Sequence, residues 1–237
     1  MINTIIFDLD GTLLPLDTEN FFKIYFEEIA LHFKDIADPK QLENNMWAST
    51  MVMIKNLDEK LNEEVFMEDF ANKINGDIEV YKKKFDEFYD TNFLNLKKFC
   101  YESQEMRKAV SLLKEKGYNL VIATNPIFPL KAIHHRVSWT GFKPEDFSYI
   151  SSYERNHYCK PQVKFYEEIL KDINKDAEEC LMVGNDVQED LVASKVGIKT
   201  YLINDYVINR VQGDIASDYQ GSYKDFYNFA QELPTLK

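Results

Sequence analysis

The chain opens with a short apolar run, Thr4-Ile5-Ile6-Phe7, that stops at Asp8-Leu9-Asp10-Gly11-Thr12. A run of this kind, bounded by a turn, reads as a buried strand. Two carboxylates two positions apart at its end are unfavourable, because each opposes the other's ionisation. A divalent cation or a basic group beside them removes the conflict. Taken alone, the pentad also fits a plain acidic turn in which Gly11 supplies backbone freedom. The rest of the chain narrows that choice.

Three further apolar runs end in polar turns. Residues 118–123 lead into Thr124-Asn125-Pro126, and residues 146–150 precede Lys160-Pro161 by a short loop. Residues 180–183 lead into Gly184-Asn185-Asp186, with Asp190 four positions further on. Helical patterns separate these runs, over 104–116 (stopped at Gly117), 127–137, 163–173 and 188–196 (stopped at Gly197). A last strand is predicted over 199–203 and a terminal helix over 222–233, while the polar stretch 204–220 carries no readable pattern. Strands alternating with helices predict a parallel sheet with right-handed crossovers. Open sheets of that kind hold their ligands at the carboxyl ends of the strands, where all four turns fall.

The stretch between the first turn and about residue 95 is different. Phe21, Phe22, Ile24, Tyr25, Ile29 and Phe33 recur at helical spacing. Asp38-Pro39 is a helix start, a capping side chain followed by a proline whose missing N–H is not needed. Its helix carries Leu42, Met46, Trp47, Met51 and Ile54; further helices follow Asn62 and Asp77 as caps. A helical bundle inserted between the first and second strands results.

The four turns, in this order, resemble the motifs of the haloacid dehalogenase-like hydrolase superfamily: Asp8 to Thr12 first, then Thr124, then Lys160, then Asp186 with Asp190. The resemblance covers the first strand and the region after about residue 96; the inserted stretch is similar only as a helical cap of the C1 type. It implies an α/β fold, a Rossmann-like parallel-sheet core of residues 1–15 and 96–237 with an α-helical cap of 16–95, hinged near 14–16 and 93–99. It implies a phosphatase in which Asp8 attacks a small phosphate monoester to give an aspartyl phosphate, Asp10 acts as acid and then base, and Lys160 supplies fixed positive charge. Mg²⁺ is expected on the side chains of Asp8 and Asp186 and the backbone carbonyl of Asp10. Thr124 and the Asn125 backbone amide are expected to hold phosphoryl oxygens near a helix N-terminus, with Thr12 helping on the other side, Asp190 orienting Lys160 or a metal-bound water, and Asn185 as a water-mediated ligand. Lys160-Pro161 is often a cis peptide in similar proteins.

Asp10 argues within that family. Dehalogenases carry a tyrosine-like residue there and phosphonate-cleaving members lack the carboxyl. A phosphosugar mutase is the nearest rival, but it uses a histidine in the first cap helix, and residues 17–22 contain none. A non-catalytic phosphate-binding or scaffold protein is the alternative outside enzymes; it would be expected to lose a motif carboxylate, and all four are present.

The formal charge of −12 opposes binding to nucleic acid or to anionic lipid. Three cysteines, Cys100, Cys159 and Cys180, have the spacing of neither a disulfide framework nor a zinc site. No signal-peptide pattern or membrane-length apolar run is present, so a cytoplasmic protein is the expectation. The partner expected is a small phosphorylated metabolite. Its identity, the oligomeric state and the cap residues that touch it are not encoded legibly. Asp17, Asn20, Trp47 and Lys55 are the cap candidates, Arg155 and His157 border the expected pocket, and His134 and His135 read as ordinary helix residues.

Overall fold

Side chains alternate along β1 (Thr4–Phe7), sending Ile5 and Phe7 to one face of a sheet and Ile6 to the other. All of them are fully buried, which requires layers on both faces. The computed structural model, which describes residues 1–211 and 215–236, shows these layers. The strands are β1, β2 (Asn119–Ile122), β3 (Tyr149–Ile150), β4 (Cys180–Gly184), β5 (Lys199–Ile203) and β6 (Tyr219–Gly221). They form one sheet of order β3-β2-β1-β4-β5-β6, parallel throughout.

Eight α-helices are described: α1 (Thr18–Phe33), α2 (Pro39–Lys55), α3 (Asn62–Ala71), α4 (Ile78–Asp90), α5 (Gln104–Glu115), α6 (Leu130–Trp139), α7 (Val163–Asp172) and α8 (Tyr223–Glu232). On the Ile6 face, Phe165, Tyr166 and Ile169 of α7 pack with Val121 and Met182. On the Phe7 face lie Val110 and Leu113 of α5 and Phe226 of α8, whose ring meets Phe7 edge-on at 5.9 Å. The parallel α/β core expected from the alternation is therefore present. Its predicted helix over 188–196 is not; a tight turn leads into a 3-10 helix, Leu191–Val196, closed by Gly197 at φ +91°. The sixth strand begins at the end of the stretch that showed no pattern.

Helices α1 to α4 sit between β1 and β2, and α1, α3 and α4 share an aromatic core of Phe33, Phe70, Phe85 and Phe88. Asp38 and Asp77 cap α2 and α4 as their sequences indicate. Asn62 does not cap α3: Leu61 takes that place, its amide donating to Glu64, and Asn62 is buried against the carbonyls of Pro126 and Tyr158. The chain leaves the sheet and returns to it side by side. Leu16 pairs with Cys100, and the Tyr101 amide donates to the Pro15 carbonyl at 3.0 Å.

Candidate active site

The order of the sheet reverses at β1, so the crevice above its carboxyl end is where an open α/β sheet accepts a ligand. Phe7 is in register with Ile122 and with Val183. The next residues of these three strands therefore emerge together: Asp8, Thr124 after Ala123, and Asn185 with Asp186 after Gly184. They line one cavity of about 590 Å³, with Asp10, Asn125, Glu189, Asp190 and Arg210 around them.

Lys160, only 1 % exposed and joined to Pro161 by a cis peptide, contacts the Asp8 and Asp190 side chains that line this cavity without lining it itself. Its ammonium donates to Asp8 Oδ1 at 2.9 Å and to Asp190 Oδ1 at 2.6 Å. Burial pulls the ammonium down, but Asp190 and Asp8 together hold it well above the ordinary lysine range. Asp190 is itself fixed, accepting the Asp186 amide at 2.9 Å on its other oxygen. Its carboxyl packs where a side chain at position 184 would stand, so only glycine fits there. Burial pushes the Asp8 carboxyl up to about 8, against the pull of Lys160 and with the help of Asp190 and Asp10. Asp186 Oδ1 accepts the amides of Gln188 and Glu189, both at 3.0 Å.

Asp10 is held by a residue that the sequence reading did not identify. Arg136, on α6, is fully buried and donates to Asp10 Oδ2. Its guanidinium lies over the Phe128 ring at 4.4 Å. Burial raises the Asp10 carboxyl, and Arg136 and Lys160 draw it back. Asp10 Oδ1 is buried with no partner among the described residues. Arg210 was also missed; it closes on Asp186 at 2.6 Å, in the stretch that showed no pattern. Glu189 accepts from Asn125 at 3.1 Å, and burial lifts its carboxyl to about 7.

Several predicted placements are corrected. Thr12 is fully buried away from the cavity and donates to Asn185 Oδ1 at 3.0 Å. Asn185 lines the cavity, but its amide is occupied by Thr12 and by the Tyr206 carbonyl at 2.7 Å. No helix begins beside Thr124 and Asn125. α6 starts at Leu130, whose amide is already satisfied by the Glu154 carboxylate at 2.9 Å. Asp17 and Asn20 form the cap of α1, and Lys55 is exposed at the end of α2; none of the three lines the cavity. Trp47 lines a neighbouring apolar cavity. Arg155 stacks on Tyr149 and His157 pairs with Glu168, both away from the site. Cys159 is buried, and burial pushes its thiol far up, so it is inert.

Among the described residues no three His, Cys, Asp or Glu side chains are gathered to hold a metal. The donors facing the cavity are nevertheless all hard oxygens. Asp8 and Asp186 contribute carboxylates, and the Asp10 carbonyl accepts no backbone amide among the described residues. Two carboxylates and a carbonyl fit a small divalent cation that keeps several of its waters, which needs no cage of protein ligands. The charges agree: among the described residues Asp8, Asp10, Asp186, Glu189 and Asp190 pair only with Lys160, Arg136 and Arg210.

Two curated proteins share part of this chain. A glyceraldehyde 3-phosphate phosphatase from Pyrococcus abyssi is 33% identical over 116 residues, which is 48% of this chain and 45% of that protein. A D-glycero-beta-D-manno-heptose-1,7-bisphosphate 7-phosphatase from Haemophilus ducreyi is 25% identical over 118 residues, 40% of this chain and 65% of that one. The chain thus spans about half to two thirds of the length of these relatives. The crystal structure of a predicted phosphoglycolate phosphatase from Haemophilus somnus 129PT superposes with a TM-score of 0.61 at 20% identity, covering 97% of this chain and 98% of that one, a likeness of fold. The family profile described as haloacid dehalogenase-like hydrolase matches residues 2–197. A profile match of that extent, on a chain whose four motif turns converge at one sheet edge, places this protein in the haloacid dehalogenase-like hydrolase family.

Proposed function

We propose that this chain hydrolyses a small-molecule phosphate monoester through a covalent intermediate on Asp8. The observation that carries the reading is the group at the end of β1: Asp8 in contact with the buried Lys160, Asp10 two residues on, and Asp186 and Asp190 across the same cavity. A carboxylate held against a phosphoryl group can attack phosphorus in line, dividing a difficult hydrolysis into two easier steps. A bond forms between Asp8 Oδ and phosphorus as the ester P–O bond breaks. Asp10 gives its proton to the departing oxygen. A water then attacks phosphorus, Asp10 takes its proton, and Asp8 is released with inorganic phosphate.

The geometry supports these roles. Arg136 fixes one oxygen of Asp10 and leaves the other, Oδ1, unpartnered to carry the proton. Lys160 holds Asp8 and supplies fixed charge opposite the phosphoryl oxygens, while Asp190 keeps Lys160 in place. Thr124 and Asn125 line the same cavity and are the phosphoryl contacts. Asp8, Asp186 and the Asp10 carbonyl are the residues that would hold Mg²⁺, which when bound supplies charge neutralisation to the phosphoryl oxygens. Residues 16–95 act as the lid, excluding water and contacting the leaving group.

Turnover of a phosphate ester panel, with and without chelator, tests this. Chelation should abolish phosphate release and added Mg²⁺ should restore it. Asp8→Asn should lower kcat by at least about a thousandfold in a folded protein. Asp10→Asn should be severely impaired and accumulate phosphoenzyme if water activation suffers more than leaving-group departure. Chelator-insensitive turnover, or an active Asp8→Asn variant, contradicts the mechanism.

A further inference from the structure

Beside the catalytic cavity lies a second, partly open cavity of about 560 Å³ including its solvent-filled mouth, lined mainly by α1, α2, α3 and the loop before α6. The two share Phe22, Ile127 and Phe128, so the second is the space directly behind the phosphoryl site. Phe22 and Phe128 face each other there, nearly parallel at 23°, with ring centroids 6.0 Å apart. Beyond them the walls are the rings of Trp47, Phe66, Tyr89 and Tyr153. Helical spacing explains the convergence: Phe22 and Phe26 are four apart on α1, and Met46 and Thr50 four apart on α2, so each pair shares a helix face.

The chamber's chemistry is one-sided. No charged side chain lines it among the described residues. Its polar side-chain groups are the hydroxyls of Tyr25, Thr50, Tyr89 and Tyr153 and the indole N–H of Trp47, and Tyr25 and Tyr89 already bond each other at 2.9 Å. A sugar would bring several hydroxyls with too few partners, each left unmet at a cost. A carboxylate-bearing leaving group would find no cation there. A flat apolar ring would meet aromatic faces on several sides, including Trp47, which is left 38 % exposed.

Resting on the phosphatase reading above, we propose that the substrate is a phosphate monoester of an alcohol with a flat, uncharged aromatic body, and that this body occupies the chamber. The phosphoryl group then sits against Asp8 and the ring passes the Phe22–Phe128 pair.

The test compares esters with leaving groups of similar basicity, so that chemistry does not mimic recognition. With Mg²⁺, kcat/KM for 2-phenylethyl phosphate and 2-(1-naphthyl)ethyl phosphate should exceed that for glycerol 1-phosphate and glucose 6-phosphate by about a hundredfold or more. Trp47→Ala should shrink that preference by about tenfold, mainly through KM for the aromatic esters. Binding is read separately from turnover. In a Trp139→Phe variant Trp47 is the only tryptophan left, and 4-nitrobenzylphosphonate, which cannot be hydrolysed, should quench it saturably. Equal or better turnover of the polar esters overturns the aromatic assignment and leaves the phosphatase reading standing. Quenching without turnover of any ester overturns the phosphatase reading and supports the chamber as an aryl site. Absence of quenching, with Trp47→Ala lowering all esters alike, overturns the chamber as a binding site.

Discussion

Arg136 is the residue whose placement most needs a reason. It stands between Ile133 and Val137 on the buried face of α6, where an aliphatic side chain would normally pack. Its Nε and Nη2 have no partners among the described residues, and its compensation is Asp10 and the face of Phe128. Removing one member of a buried pair leaves the other uncompensated. Arg136→Met should therefore lower stability by about 2–3 kcal/mol in chemical unfolding, with Asp10 a quarter exposed and partly relieved by solvent. It should also slow turnover. Arg136→Met combined with Asp10→Asn should be more stable than the sum of the single changes, as a double-mutant cycle would report. One position earlier, burial holds the His135 imidazole below the ordinary 6.5. The folded protein thus favours neutral His135, while the unfolded chain takes up the proton first on acidification. The resulting stability is present above pH 6.5 and is lost as pH falls through the lower folded value. His135→Leu should flatten the fall in melting temperature between pH 7 and about pH 5; an unchanged slope would show that His135 does not contribute.

Individual elements differ in how openly their sequences announce them. Asp38-Pro39, Asp77 and Ser222 start helices through hydrogen bonds to amides two or three residues away, so their signal is local and readable. The four motif turns were readable for the same reason: each follows a short buried run at a strand end. The stretch at Leu191–Val196 has helical spacing but is too short, and too constrained by Asp190 packing on Gly184, to be more than a 3-10 helix. Arg136 and Arg210 carry no local signal, since each takes its meaning from a carboxylate remote in sequence. α2 depends on a similar long-range contact. Its last carbonyls have no partners within the helix. The Gln162 side chain, two residues past Lys160, donates to the carbonyls of Ile54 and Asn56. Gln162→Ala should release that end of α2 at a cost of about 1 kcal/mol. Hydrogen exchange should then speed up over residues 50–62 and remain unchanged in β1 and β4; uniform acceleration would assign Gln162 to the core instead.

At the scale of the whole molecule, charge works against the function proposed. A chain of formal charge −12 repels a phosphate dianion until it is close enough to meet Lys160 and Arg210. Added salt screens the distant repulsion more than the contacts within the cavity. At constant Mg²⁺, kcat/KM for a phosphate ester should therefore rise about two- to fivefold between 10 and 150 mM salt. A fall would mean that the local basic groups dominate the approach. No helix among the described residues is long and apolar enough to cross a membrane.

The pairing of Leu16 with Cys100 has a consequence for how such a molecule changes over generations. A segment that enters and leaves through adjacent chain positions can be lengthened, shortened or exchanged while the sheet keeps its register. Asp8 stands upstream of that doorway, and Lys160, Asp186 and Asp190 lie downstream of it, anchored by the strands and loops of the sheet. New preferences can thus be acquired by rewriting the helices alone, with Asp8 and its partners inherited intact.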